Sequence, residues 1–369
     1  MPTTNDHDPR SHDYSLSRHD DRTLVRLGVI GLVVLCVIAL FAWAAGYLSP
    51  GRLTPARFTE AFRQVNGFHS GFRRNHAKGV CVSGYFDSNG QGMTLSRAGV
   101  FRPGETPVFG RFSLPGGNPY VADTPKTVRG MALNFSLADG EVWRTAMVDI
   151  AVFAVRTPRE FLEQLLASRA DPRTGKPDPT RLAAFLDKYP EVARALHVIA
   201  AHPFSSGFAN ATYNGLDAFR FTNAAGDSHA VRWSFVPEDA FAPDLPTAAQ
   251  HQDRNYLFDA LIARAKLGAI RWHLILTVAS QGDPTNDATL PWPANSARVD
   301  AGTLVLNSVQ DEADGRCRDV NFDPLILPAG IAPSDDPMLS ARSAVYSRDF
   351  TLREGEAKRP SAVQFAAVR

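Results

Sequence analysis

The sequences VCVSGYF at residues 80–86 and VFGRF at residues 108–112 are dense in aliphatic and aromatic side chains and lie next to turn-forming residues. Similar short segments occur at residues 99–101, 127–135, 146–155, 218–222, 229–237, 271–279 and 303–307. This composition between turn clusters predicts β-strands. Because most of the segments follow one another as hairpins instead of alternating with helices, they predict an antiparallel sheet or barrel rather than a doubly wound parallel sheet.

Helices are predicted around these strands. A short amphipathic helix at residues 55–65 would bury Phe58, Ala61 and Phe62. Thr157 followed by Pro158 is a good start for a helix at residues 157–170. Further helices are predicted at residues 179–202, in two stretches, and at 247–267 and 337–353. The pattern as a whole indicates an α+β fold.

The composition excludes several classes of protein. The 369 residues carry 39 Lys+Arg against 38 Asp+Glu, so no overall basic field recruits nucleic acid. The three cysteines, Cys36, Cys81 and Cys317, show neither CxxC spacing nor a zinc-finger pattern. We therefore expect neither a cysteine-based metal site nor a disulfide framework.

Residues 27–48 are free of charge and read LGVIGLVVLCVIALFAWAAGYL. As a helix this run would be about 33 Å long, enough to cross the roughly 30 Å hydrocarbon core of a bilayer. Trp43 and Tyr47 fall near one end, where aromatic belts lie. The run predicts a transmembrane helix or signal anchor, and Ala42-Trp43-Ala44 leaves a cleaved signal peptide as the alternative.

The flanking arginines are balanced and do not fix the orientation of this segment. An N-terminal segment ahead of a large domain usually exports that domain, so we expect a single-pass protein of the bacterial inner membrane with its catalytic domain in the periplasm. The expected divisions are a disordered tail at residues 1–23, the membrane segment at 24–48, a linker at 49–54 and one domain at 55–369.

Two local patterns carry possible chemistry. In RSAVYSRDFTLR, Arg342, Tyr346 and Arg353 would share one helix face. A guanidinium one turn from a phenol favours the phenolate, which is a hard anionic ligand for Fe(III). In RRNHAKG, His76 stands beside arginines at a strand entrance, which suits an acid/base group near an anionic cofactor. Either pattern alone is more often an ordinary packing contact.

Together, and in this order, several segments resemble the haem catalase family. The matching segments are residues 76–86 (HAKGVCVSGYF), 111–113 (RFS), 127–132 (TVRGMA), 321–331 (NFDPLILPAGI) and 338–346 (MLSARSAVY). The first resembles the family's distal haem segment and the last two its proximal segment. The resemblance covers about residues 55–355 and implies a catalase-like antiparallel β-barrel with packed helices.

The resemblance also implies roles for nine side chains. Tyr346 would be the iron ligand, held as phenolate by Arg342. His76 would move a proton between the two oxygens of the peroxide, and Ser113 would orient its imidazole. The remaining five would surround the haem, with Arg73, Arg111 and Arg353 on the propionates and Phe153 and Phe161 as pocket aromatics.

Two departures from the family narrow the expected activity. Catalases place an Asn in an Asn-Asn-Thr-Pro segment to position peroxide, and Val148 stands at that position here, followed by Asp149. Val148 cannot donate this hydrogen bond, and the alternation of side chains along a strand turns Asp149 away from the peroxide site. We therefore expect impaired dismutation of hydrogen peroxide. The chain stops 23 residues after Tyr346, so we expect no NADPH site and a monomer or dimer rather than a tetramer.

We therefore expect a haem b peroxidase, similar to the minimal, catalase-related members of the family, that defends against oxidative stress. It would reduce hydrogen peroxide or organic hydroperoxides with an external electron donor. Three alternatives stay open: a true catalase, a haem-binding or haem-sensing protein without turnover, and a haem-dependent hydroperoxide isomerase.

Overall fold

The computed structural model describes residues 21–44, 47, 51–245, 247 and 252–365. Its contacts divide the chain into two units, Met1–Leu53 and Thr54–Arg369. Most of the predicted tail lies outside the described residues.

The first unit contains one described helix, α1 (Asp21–Ala44). Within Arg22–Ala44, an 18-residue stretch has a mean hydropathy of 2.8 and is not buried inside the protein. This is the one helix in the described ranges that is long and apolar enough to cross a membrane. Residues 21–23, which we assigned to the tail, already belong to this helix. Residues 45, 46 and 48 of the predicted span lie outside the described residues.

The second unit is built on a closed barrel of eight antiparallel strands. Their bounds are β1 (Gly79–Ser88), β2 (Gly104–Ser113), β3 (Gly130–Ser136), β4 (Val142–Val148), β5 (Tyr213–Thr222), β6 (Ser228–Pro237), β7 (Ile270–Val278) and β8 (Arg298–Gln310). Each strand pairs with the next along the chain, and β8 pairs back with β1. The β4–β5 junction is the shortest, with the single partner pair Val148 and Asn214. A three-residue strand, β9 (Ile331–Pro333), extends β5 on its other side.

Helices cover the barrel and supply one wall of the site. They are α2 (Pro55–Asn66), α3 (Pro158–Ala167), α4 (Pro179–Lys188), α5 (Pro190–Ala201), α6 (Tyr256–Lys266) and α7 (Pro337–Glu354). α2 buries Phe58, Ala61 and Phe62 as predicted, and contacts α3 and α7. α7 begins after Asp336, whose carboxylate accepts a hydrogen bond from the Met338 amide at 2.8 Å. This cap, together with Pro337 in the first turn, fixes where α7 starts and hence which side chains it presents.

The structure corrects three predicted elements. Residues 99–101 form a short 3₁₀ helix rather than a strand, with Val100 and Phe101 fully buried. The strand predicted at 146–155 ends at Val148, because the next side chain, Asp149, accepts a hydrogen bond from the Arg129 amide at 2.7 Å. α6 begins at Tyr256, later than the predicted 247, and residues 248–251 lie outside the described part of the chain.

The barrel interior is filled largely by aromatic side chains. Fully buried examples are Phe112, Phe135, Trp143, Tyr213, Phe235 and Trp272. Rings of this size remove much apolar surface from water, which stabilises the barrel by about 25 cal/mol per Å² buried. A rigid barrel of this kind holds side chains near its strand ends in fixed positions.

Candidate active site

A cavity of about 520 Å³ lies between the barrel, α2, α3, α5 and α7. Such a volume suits a cofactor or a small ligand. All nine predicted site residues line it: Arg73, His76, Arg111, Ser113, Phe153, Phe161, Arg342, Tyr346 and Arg353. They come from four separate stretches of the sequence, and the fold brings them together.

His76 is held in an uncommon backbone conformation. Its φ is 55°, in the left-handed region that only a few per cent of residues other than glycine occupy. The Asn75 side chain stabilises this turn, because its oxygen accepts hydrogen bonds from the amides of His76 at 3.0 Å and Gly116 at 2.8 Å. Arg111 donates to the His76 carbonyl at 2.8 Å. A strained conformation fixed by several contacts is common at functional sites.

The imidazole of His76 lies against Ser113 and Gly130. Its Nδ1 is 3.1 Å from the Ser113 hydroxyl oxygen. A Cβ atom on Gly130 would lie only 3.2 Å from Nδ1 and Cε1 of the ring, so the glycine leaves the space that the ring occupies. Burial, and then the positive charges of Arg111, Arg342 and Arg73, lower the pKa of His76 to about 3. The ring is therefore neutral near pH 7 and can accept a proton.

Tyr346 on α7 lies one turn from Arg342. The Arg342 guanidinium is 6.0 Å from the centre of the Tyr346 ring and forms an ion pair with Asp217 of β5. Burial alone would lower the pKa of Arg342, but the carboxylate of Asp217 and the phenol of Tyr346 raise it above the ordinary value. Arg342 is therefore a permanent cation beside the phenol. Its guanidinium interacts with both Tyr346 and Asp217.

Arg73, Arg111 and Arg353 form what we term the arginine frame. Arg111 donates to the Glu312 carboxylate through Nε at 2.8 Å, and Glu312 is the closest anionic partner of the frame in the described ranges. Burial, followed by the charges of Arg353 and Arg111, lowers the pKa of Arg73 well below its ordinary value. Nε of Arg73 and Nη2 of Arg353 are buried and have no hydrogen-bond partner among the residues that the structure describes. Within the described ranges the frame thus forms one direct ion pair, with Glu312, for its three guanidinium groups, and it has N–H groups left to bind an anion.

The side chains of the neighbouring residues Val148 and Asp149 lie in different environments. Val148 lines the cavity, whereas Asp149 does not. Asp149 is buried against Arg129, whose amide and guanidinium both approach its carboxylate. Burial, partly offset by Arg129, raises the pKa of Asp149 to about 6. Asp149 therefore does not supply the hydrogen bond that an Asn at position 148 would provide.

Sequence reasoning missed Asp217, Glu312 and a disulfide. The bond between Cys81 and Cys317 joins residues 236 positions apart, and the expectation of no disulfide framework gave no indication of it. Asp217 and Glu312 are 125 and 201 residues from their arginine partners, and nothing in their local sequence marks them. The buried arginines were the available signal, because a buried guanidinium requires an anionic partner.

Fold and site together define a class: a closed eight-stranded barrel whose wall carries a neutral histidine, with a tyrosine–arginine pair on a helix and an arginine frame in the same cavity. A family model described as Catalase matches residues 48–359. The chain is 37% identical to a catalase-related peroxidase of Synechococcus elongatus over 84% of this chain and 91% of that protein. It is 33% identical to a catalase-related peroxidase of Mycolicibacterium paratuberculosis, over 83% of this chain and 96% of that protein.

A likeness in fold agrees with these sequence matches. Catalase A from Saccharomyces cerevisiae superimposes with a TM-score of 0.68 at 20% identity, covering 77% of this chain and 61% of the yeast chain. The chain belongs to the catalase family. Membership confirms the barrel fold inferred from the sequence and suggests haem as the cofactor.

Proposed function

We propose that this protein is a haem b peroxidase that reduces hydrogen peroxide or organic hydroperoxides with electrons from an external donor. The observation that carries the proposal is that one cavity is lined by a neutral His76 and by Tyr346 beside the permanent cation of Arg342. The relatives named catalase-related peroxidase, which match over most of their length, support the same activity.

The residues present fit a haem with two propionates. The partnerless N–H groups of Arg73 and Arg353 and the charge imbalance of the arginine frame call for added carboxylates. Phe153 and Phe161, with ring centres 5.9 Å apart, give the cavity an aromatic wall that suits an apolar macrocycle. Both cysteines of the barrel unit are in the disulfide, so no thiol there is free for thioether attachment, which favours haem b.

Each side chain then has a defined task. Tyr346 would hold the iron of the haem as phenolate, and Arg342 would stabilise its negative charge. When bound, haem supplies the two-electron redox chemistry of O–O cleavage. His76 takes the proton from one peroxide oxygen and delivers it to the other, so that water or an alcohol leaves instead of hydroxide or alkoxide. Ser113 orients the imidazole of His76. If the Ser113 hydroxyl oxygen accepts a hydrogen bond from Nδ1–H of His76, then Nε2 of His76 is the nitrogen that accepts the proton of the peroxide.

The wall formed by Val148 favours peroxidase chemistry over dismutation. An aliphatic side chain donates no hydrogen bond to a second molecule of hydrogen peroxide, and Asp149 is held away by Arg129. The same apolar surface accommodates the alkyl group of an organic hydroperoxide. Reduction by an external donor therefore suits the cavity better than a second reaction with hydrogen peroxide.

We further propose that α1 anchors the protein in the bacterial inner membrane, with the barrel unit in the periplasm. The length and hydropathy of Arg22–Ala44 support a membrane segment or a signal sequence. The Cys81–Cys317 disulfide supports an oxidising compartment, because such bonds rarely persist in the cytosol. Mass determination of the mature N-terminus separates a retained anchor from a cleaved signal peptide.

Ligation by Tyr346 is tested by spectroscopy of the full chain purified in detergent after haem-replete expression. Resonance Raman spectra of the ferric protein should contain tyrosinate-to-iron vibrations that Tyr346→Phe lacks. Tyr120→Phe, which changes an exposed tyrosine, is the matched control and should retain them. A wild-type protein without haem, or one with these vibrations unchanged in Tyr346→Phe, contradicts the proposal.

Turnover is tested with His76→Ala. This variant should react with peroxide about 10²- to 10⁴-fold more slowly, the usual contribution of a positioned acid/base group. Equal rates of donor oxidation in the variant and the wild type would favour a binding or sensing protein. Vigorous oxygen evolution without donor would identify a true catalase, and rearranged hydroperoxide without donor consumption would identify an isomerase.

A further inference from the structure

The disulfide lies directly behind the arginine frame. Cys81 is in β1, where its partner on β2 is Arg111 and its partner on β8 is Gln310. Cys317 lies in the segment 311–320, which follows β8 and contains no regular helix or strand. The bond therefore ties an irregular segment to the barrel strand that neighbours Arg111, with the two Cα atoms 5.4 Å apart.

The segment 311–320 supplies polar partners to all three arginines of the frame. Nη2 of Arg73 donates to the carbonyls of Cys317 at 2.9 Å, Arg318 at 3.3 Å and Val320 at 2.9 Å. Nη1 of Arg353 donates to the Arg318 carbonyl at 2.7 Å. Glu312, in the same segment, pairs with Arg111. The positions of the guanidinium groups thus depend on the position of this segment.

Packing around the sulfur atoms reinforces this dependence. Cys81 and Cys317 form a buried cluster with Phe109 and Phe322. Phe322 lines the cavity, and the Arg73 guanidinium lies 5.6 Å from the centre of its ring. A Cβ atom on Gly315 would lie 2.4 Å from the Cys81 sulfur, so the segment is seated directly on the disulfide.

We propose that the Cys81–Cys317 disulfide is a positioning element that fixes the segment 311–320, and through it the arginine frame, so that retention of the anionic cofactor depends on the oxidised cysteine pair. The inference rests on the proposed function, because it concerns the haem that the frame would hold. Irregular segments open more easily than barrel strands, and an opened segment would leave three buried cations without their carbonyl and carboxylate partners. A cross-link in the middle of the segment opposes that opening.

This arrangement couples cofactor retention to the compartment in which the protein folds. In a reducing compartment the two thiols would stay unlinked, and the frame would hold its ligand less tightly. Both cysteines are buried, with 2% and 0% of their surface exposed, so the bond, once formed, is shielded from soluble reductants. Stable loading with haem is therefore expected only where the disulfide has formed.

The test compares the full-length holoprotein with Cys81→Ala/Cys317→Ala. Haem loss is followed by transfer to an excess of haem-free myoglobin, and disulfide formation by peptide mass analysis without reductant. The double variant should lose haem roughly tenfold faster or more, which corresponds to a barrier to release lower by about 1.4 kcal/mol. Cys36→Ser, which removes the cysteine of α1, is the matched control and should lose haem at the wild-type rate.

A second variant separates positioning from general destabilisation. Leu274→Ala, in the fully buried core of β7, should lower the thermal midpoint while leaving the rate of haem loss close to that of the wild type. If the double variant does not fold, Gly315→Val is the second test, because it displaces the segment 311–320 from Cys81 but keeps both cysteines. It should show the same faster loss of haem. Free thiols at 81 and 317 in the mature protein, or wild-type haem loss from the variants that fold, would overturn the inference. A wild-type protein without haem would instead overturn the proposed function.

Discussion

The low pKa of His76 predicts a flat pH profile for the reaction with peroxide. An ordinary histidine with a pKa of about 6.5 is about 97% protonated at about pH 5, so a rate that needs the neutral ring would fall about thirtyfold from its value near pH 8. In this cavity, burial and three arginines lower the pKa of His76 to about 3. At about pH 5 only about one ring in a hundred would be protonated, and the rate should change less than about twofold.

The assay is stopped-flow mixing of the haem-loaded protein with hydrogen peroxide and with an organic hydroperoxide, followed by the change in the Soret band. The second-order rate constant should stay nearly constant over this pH range in the wild type. His76→Gln, which cannot take up the proton, should be slow at every pH and serves as the reference. A wild-type rate that falls tenfold per pH unit below about 6.5, with the inflection lost in His76→Gln, would refute the assigned environment of the ring.

Three further predictions test other contacts. Gly130→Ala would place Cβ 3.0 Å from the Ser113 hydroxyl and 3.2 Å from the His76 ring, so the peroxide reaction should slow about three- to tenfold with haem retained, and an unchanged rate would count against this placement. Asp217→Asn breaks a partly buried ion pair and should lower the free energy of unfolding by about 2 kcal/mol in denaturant titrations, whereas a loss below about 0.5 kcal/mol would contradict it. Because burial raises the pKa of Asp149 from 3.8 to about 6, the folded state binds more protons between those values and the free energy of unfolding should fall as pH rises through that window. Asp149→Asn should show a shallower slope, because Asp336, whose pKa burial also raises to about 6, keeps its own contribution. A slope identical to that of the wild type would exclude Asp149 as a source.

The barrel was predictable because its strands are local patterns. Alternation of side chains and short turns mark β1 and β2 wherever they pack. Residues 99–101 were misassigned because Gly-Val-Phe suits either a strand or a tight turn, and only the burial of Val100 and Phe101 decides between them. The end of β4 was misplaced because Asp149 bonds to a backbone group twenty residues away.

The sequence predicted residues that the fold brings into one cavity, but not their charge partners. His76 and Tyr346 stand in segments whose order and spacing resemble a known family. Asp217 and Glu312 stand in unremarkable strand and loop sequence, and their meaning depends on contacts more than a hundred residues away. The same holds for the disulfide, whose two cysteines have no local spacing that signals a pair.

The charge balance of the cavity differs between its two groups of arginines, and this difference defines what the cavity binds. Arg342 forms an ion pair with Asp217, so its guanidinium has an anionic partner even before Tyr346 is ionised. Among the described residues, Glu312 is the carboxylate that forms an ion pair with the arginine frame, and Nε of Arg73 and Nη2 of Arg353 have no hydrogen-bond partner there. Such a frame is stabilised by a ligand that brings about two negative charges on one edge, since the cost of desolvating the guanidinium groups is otherwise left uncompensated. A dicarboxylate macrocycle meets that requirement, whereas a neutral apolar ligand of equal size does not.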